Sequence, residues 1–121
     1  MGNVICSGSV LFNQSHFILQ ITGPLQTLML DVRSLDDPEG EGIGENGLDL
    51  DVIEYVMAQP LAEELLGEAQ LAYNDGFNIL FMCYGGKNRS VALAGELARR
   101  NGEIAKHYGL EEWDRIKRAK V

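Results

Sequence analysis

Residues 83–90 read Cys-Tyr-Gly-Gly-Lys-Asn-Arg-Ser and concentrate the reactive and anion-binding residue types of this chain. The apolar run Ile79, Leu80, Phe81, Met82 leads into them, and a helical pattern leads away. A loop between a buried strand and a helix N-terminus offers unpaired first-turn N–H groups and the positive end of the helix dipole, which together attract an anion. Gly85 and Gly86 let the backbone curl and approach that anion closely. Arg89 can hold two phosphate oxygens with one guanidinium. Lys87 adds charge at the rim, while Asn88 and Ser90 can add hydrogen bonds or cap the helix. The same surroundings favour a thiolate at Cys83. All eight residues, Tyr84 included, therefore form a candidate phosphate-binding loop. The plainer reading is a Gly-Gly turn followed by a surface arginine.

The segment also fits the C-x5-R-S pattern of cysteine phosphatases. There the cysteine attacks phosphorus, the arginine holds the equatorial oxygens, and a separate carboxylic acid protonates the leaving group. The catalytic set would be Cys83, Arg89 and Asp36, with Asp31 and Asp37 as the other candidate acids. Met82 stands where such enzymes usually carry histidine. At this level two readings stay open: an enzyme, or a cradle that only holds phosphate.

The elements that must position the loop follow from pattern. "SHFILQITG" (15–23) and "QTLMLDVRSL" (26–35) read as strands, separated by the breaker pair Gly23-Pro24. "DDPEGEGIGENG" (36–47) is an acidic, Gly-rich loop. Leu50, Ile53, Val56 and Met57 have helical spacing, with Asp49 at the N-cap position. Pro60 fits the first turn of a second helix running through Leu61, Leu65, Ala69 and Ala72 to "NDG" (74–76). "FNILFMCY" (77–84) is nearly continuously apolar, the pattern of a strand covered on both faces. "NRSVALAGELARR" (88–100) is a helix with Val91, Ala94, Leu97 and Ala98 as its buried stripe, ended by Asn101-Gly102. "EIAKHYG" (103–109) reads as a strand and "LEEWDRIKRAK" (110–120) as an amphipathic helix with Leu110, Trp113 and Ile116 on one side. This order implies an α/β domain with a single mixed or mostly parallel sheet, helices on both faces, and the phosphate loop between a central strand and a helix.

At 121 residues and 45% apolar content, the chain suits one domain over 1–121, with an N-terminal segment (1–14) and an extra C-terminal helix (110–121). Its net charge of −8 argues against broad non-specific nucleic-acid binding. That charge is uneven: residues 31–75 hold 13 of the 18 acids and one base, Arg33, whereas residues 76–121 hold five acids and nine bases. A locally positive site within an acidic protein is thus available. No run of about 18 apolar residues exists, so no transmembrane helix is expected, and the N-terminus lacks the basic stretch of a signal peptide. "MGNVIC" begins like a myristoylation site but has Cys6 where Ser or Thr is required. Two distant cysteines and two histidines give neither a disulfide framework nor a zinc pattern. A reducing cytoplasm, no metal and no cofactor are the expectations. Arg33 has two readings, a ligand contact or an ion pair with Asp31 or Asp36. His107 likewise could line the pocket or serve structure.

Three segments carry a resemblance. "LDVRSLDDP" (30–38), "GLDLDVIEYVMAQP" (47–60) and "MCYGGKNRSVALAGELA" (82–98) occur in the order and approximate spacing of the RapZ C-terminal domain family, whose segments run D-V-R-x-L-x-N-P, then L-T-G-x-D, then G-C-T-G-G-x-H-R-S-V. "AKHYG" (105–109) falls where that family has a short strand with an Arg-His-Arg-like sequence. The resemblance covers about residues 16–109. RapZ is a bacterial RNase adapter whose full-length chain also has an N-terminal kinase-like domain with its own nucleotide-binding loop. The resemblance implies the C-terminal module alone, which in RapZ binds a small regulatory RNA and glucosamine-6-phosphate and takes part in oligomerisation. It places the phosphate pocket at Cys83–Ser90, with Asp31, Arg33 and His107 as ligand-lining neighbours. It also implies a phosphorylated small molecule or nucleotide as ligand, an RNA or protein partner, and a homodimer or higher oligomer. Asn88 replaces the family's usual His, Tyr84 a small Thr, and "DDPEG" the Asn-Pro followed by an aromatic or His. The phosphate subsite is thus kept while its surroundings change.

Overall fold

The apolar run before the loop becomes strand β3 (Asn78–Cys83) of a four-stranded, wholly parallel sheet. The structure is a computed structural model and describes residues 3–12 and 26–119. The other strands are β1 (Ile5–Ser9), β2 (Thr27–Asp31) and β4 (Lys106–His107), in the spatial order β2-β3-β1-β4. The helices are α1 (Leu50–Met57), α2 (Pro60–Asn74), α3 (Arg89–Arg100) and α4 (Tyr108–Ala119), and a 3-10 turn occupies Pro38–Glu41.

Alternation along β3 divides the core. Ile79, Phe81 and Cys83 join one cluster with Val52 and Val56 of α1, Leu66 and Ala69 of α2, and Leu93 and Leu97 of α3. Leu80 and Met82 point the other way, toward Cys6 and Tyr108. Helices therefore cover both faces, as the unbroken apolar run requires. Cys6 illustrates the dryness of the second face: its Sγ donates to Ile79 O at 3.3 Å, and burial pushes the thiol pKa up to about 12. The two helices around Pro60 form as expected, with Pro60 at the first position of α2. Asp49 does stand at the N-cap of α1, but its Oδ2 accepts from Glu45 N at 2.5 Å and Asn46 N at 3.2 Å, so it braces the preceding turn rather than the helix.

Two expectations shift. No strand is evident in the sequence around Ile5–Ser9, yet β1 lies inside the sheet, paired with β3 and β4 and buried throughout. The strand expected over 103–109 narrows to Lys106–His107, because Tyr108 already begins α4. The strand expected over 15–23 lies outside the described residues.

Because all four strands are parallel, their C-terminal ends share one edge of the sheet. Ligands of such sheets bind there. That edge carries Ser9, Asp31, Cys83 and His107, and the Gly-rich loop rises from its middle.

Candidate functional site

Residues 84–88 bridge β3 to α3. Among the described residues, none of the five backbone N–H groups from Tyr84 to Asn88 has an acceptor. Four of the five loop carbonyls, and that of Cys83 just before them, are tied down. Cys83 O accepts from Val10 N at 3.1 Å, Tyr84 O from Ser9 Oγ at 2.5 Å, Gly85 O from the Trp113 indole at 2.6 Å, Lys87 O from Gly47 N at 2.7 Å, and Asn88 O from Ala92 N at 2.9 Å. A backbone with most of its acceptors spent inward and its donors open has the chemistry to receive an acceptor-rich anion.

Two glycines allow this packing. Gly86 has φ +68°, and a Cβ there would lie 2.9 Å from Gly8 C and from Ser9 N. At Gly109, in the first turn of α4, a Cβ would lie 2.4 Å from Gly86 O. The loop is thus pinned between the end of β1 and the start of α4.

The side chains divide into buried and exposed sets. Cys83 is 2% exposed, and its Sγ is 3.1 Å from Ser90 Oγ, which also donates to Gly8 O at 3.3 Å. Arg89 is buried, and its Nη1 donates to Arg33 O at 2.8 Å and Leu35 O at 3.0 Å. Its Nη2 lies 3.4 Å from Asp37 Oδ2, while its Nε is buried without a partner among the described residues. Asn88 Nδ2 donates to Asp37 Oδ1 at 3.3 Å and does not cap α3. Lys87 Nζ sits 5.5 Å from the Trp113 ring centroid, within cation–π range, and 3.9 Å from Glu39 Oε1. Tyr84 is exposed.

Of the neighbours, Arg33 and Asp31 pair with each other at 2.6 Å on the surface, and this contact holds the Asp31 carboxyl below its ordinary pKa. The Arg33 main chain, through its carbonyl, is what reaches Arg89. Asp36 donates its backbone N–H to Gln59 Oε1 at 2.7 Å. His107 Nδ1 lies 2.7 Å from Ser7 Oγ, and burial lowers the imidazole pKa. The native state therefore favours neutral His107, whereas the unfolded chain takes up a proton near pH 6.5. The stability this residue contributes is full above about pH 6.5 and is lost as pH falls below it. Urea unfolding at pH 7 and pH 5 should show a smaller loss for His107→Gln than for the parent chain; equal losses would remove His107 from this role.

A groove of about 360 Å³ opens beside the loop, lined among others by Lys87, Asn46, Leu48, Leu110, Trp113 and Lys117. The sequence puts Trp113 on the apolar side of the last helix but does not disclose its hydrogen bond to the loop or its part in this groove. The stripe Leu110, Trp113, Ile116 was visible, but nothing in it shows where an indole N–H will end. Among the described residues no group of three His, Cys, Asp or Glu side chains could hold a metal ion, and no helix is long and apolar enough to cross a membrane.

Comparison with known proteins agrees with this architecture. A chain from Nocardioides sp. described as a nucleotide-binding protein is 40% identical, over a match covering 60% of this chain and 29% of that relative. The present chain thus spans less than a third of that relative's length. The family model described as the RapZ C-terminal domain matches residues 19–111, which takes in β2, β3, the Gly-rich loop, α3 and β4. A match over that much of the chain, with the whole loop inside it, places this protein in the RapZ C-terminal domain family.

Proposed function

We propose that this domain binds a phosphorylated small molecule, a nucleotide or a phosphorylated metabolite, on the loop Cys83–Ser90, in a sensing, sequestering or adapter role. The observation that carries this reading is the set of five loop N–H groups without acceptors among the described residues, directly ahead of the N-terminus of the 12-residue helix α3. Unpaired amides at a helix start attract a phosphate through their N–H groups and the helix dipole. The Nocardioides relative, described as a nucleotide-binding protein, supports a nucleotide as one ligand class. The burial of Cys83 and the use of Arg89 Nη1 on two backbone carbonyls favour holding over attack. An in-line displacement needs an accessible thiolate and an arginine whose donors face the phosphoryl group.

The test is a titration of the isotopically labelled protein with inorganic phosphate, AMP and glucosamine-6-phosphate, followed by amide NMR. The largest shifts are expected at Tyr84–Ser90. Shifts confined to other residues, or none at millimolar ligand, would sink the reading. Turnover of an aryl phosphate that disappears in Cys83→Ser would replace holding with catalysis.

A further inference from the structure

The acidic turn after β2 holds its carboxylates against the very side chains that an anion on the loop would use. Asp37 Oδ2 is 3.4 Å from Arg89 Nη2, and Asp37 Oδ1 is 3.3 Å from Asn88 Nδ2. Glu39 Oε1 is 3.9 Å from Lys87 Nζ. Three consecutive donors of the loop, Lys87, Asn88 and Arg89, thus face two carboxylates from one turn. We infer that Asp37, assisted by Glu39, is a specificity-determining internal competitor: it occupies the side-chain donors of the phosphate loop and sets how much negative charge a ligand must bring to take them. This inference rests on the loop being the anion site.

The contacts have the looseness that a displaceable competitor needs. All three are 3.3 Å or longer, against 2.6 Å for the exposed pair Arg33–Asp31. Charge-assisted hydrogen bonds at full strength are shorter, about 2.7–2.9 Å. A phosphate offers more charge and more acceptor oxygens than one carboxylate, so it can win these donors. The change Asp37→Asn isolates the charge. An Asn there has the same shape and can still accept from Glu39 N, the 3.1 Å bond that starts the turn, but it brings no charge.

The prediction is that Asp37→Asn binds inorganic phosphate and AMP roughly tenfold more tightly than the parent chain, which corresponds to removing one like charge from the site. Glu39→Gln should give a smaller gain in the same direction, since Glu39 is more exposed and its contact longer. Calorimetric titration of both proteins with both probes reads this, with unfolding of the free proteins measured alongside. A purely structural role for Asp37, neutralising Arg89, predicts a lower unfolding midpoint with no gain in affinity, and that result overturns the inference. So does unchanged or weaker binding by Asp37→Asn when the parent chain binds, an outcome that leaves the phosphate loop itself standing. If neither protein binds either probe, the inference and the phosphate reading fall together.

Discussion

Arg89→Ala is expected to destabilise the domain by roughly 3 kcal/mol and to abolish anion binding. Arg89 opens α3, yet its Nη1 reaches back to Arg33 O and Leu35 O, the carbonyls of the segment that leaves β2. Leu35 is 2% exposed, so this segment is pressed into the core and water cannot readily replace the guanidinium. A hydrogen bond to a charged group contributes about 1.5–3 kcal/mol, and removing one partner leaves the other unsatisfied. Asp37 would also lose its counter-charge, a smaller effect because its side chain is partly exposed. Arg89→Lys should recover less than half of the loss, because a flexible ammonium lacks the rigid planar group that sets Nη1 on the two carbonyls and Nη2 toward Asp37. Urea unfolding with an unchanged slope and a shifted midpoint is the expected signature. A loss under about 1 kcal/mol would mean that the 33–37 segment is held by its own packing, and that Arg89 is free to serve a ligand alone.

This double duty explains how much of the site was legible in the sequence. The strand, loop and helix that build it were plain, because Asn78–Cys83 is apolar on both faces and Val91, Leu97 and Ala98 carry a helical stripe. Gly85-Gly86 before a helix start also marks where the backbone turns with its N–H groups open. What could not be read was where Arg89 points. The spacing Cys83-x5-Arg89 suggests an arginine for oxygen atoms, and it finds oxygen atoms, but they are carbonyls left open as the chain leaves β2. Which carbonyls are left without partners depends on tertiary placement. Strand β1 was hidden for a related reason. "ICSGS" has one β-branched residue, a glycine and two serines, a poor strand by propensity. Its small residues are needed because the Gly-rich loop sits directly on Gly8 and Ser9. Local propensity gives way where such a close backbone contact demands it.

That close approach yields the sharpest comparison, between two adjacent glycines. Gly86→Ala should cost about 2–4 kcal/mol, whereas Gly85→Ala should cost less than about 1 kcal/mol. At Gly86 two penalties combine. Its φ of +68° is strained for any residue with a Cβ, and the added methyl would lie 2.9 Å from backbone atoms of Gly8 and Ser9. Those atoms belong to a strand paired on both sides, so they cannot move aside cheaply. The loop must lift instead, and lifting it strains the bond from Trp113 to Gly85 O and the seat of Gly109 against Gly86 O. At Gly85 the nearest atom is Lys87 Cε at 3.7 Å, an ordinary contact with a flexible side chain, and φ is not positive. Chemical unfolding of the two variants side by side tests this directly. Equal costs would show that the pair serves flexibility in general. A cost confined to Gly86 would show that the second glycine is there so that β1, the loop and α4 can meet backbone to backbone, which is what turns most of the loop's carbonyls inward and leaves its N–H groups open.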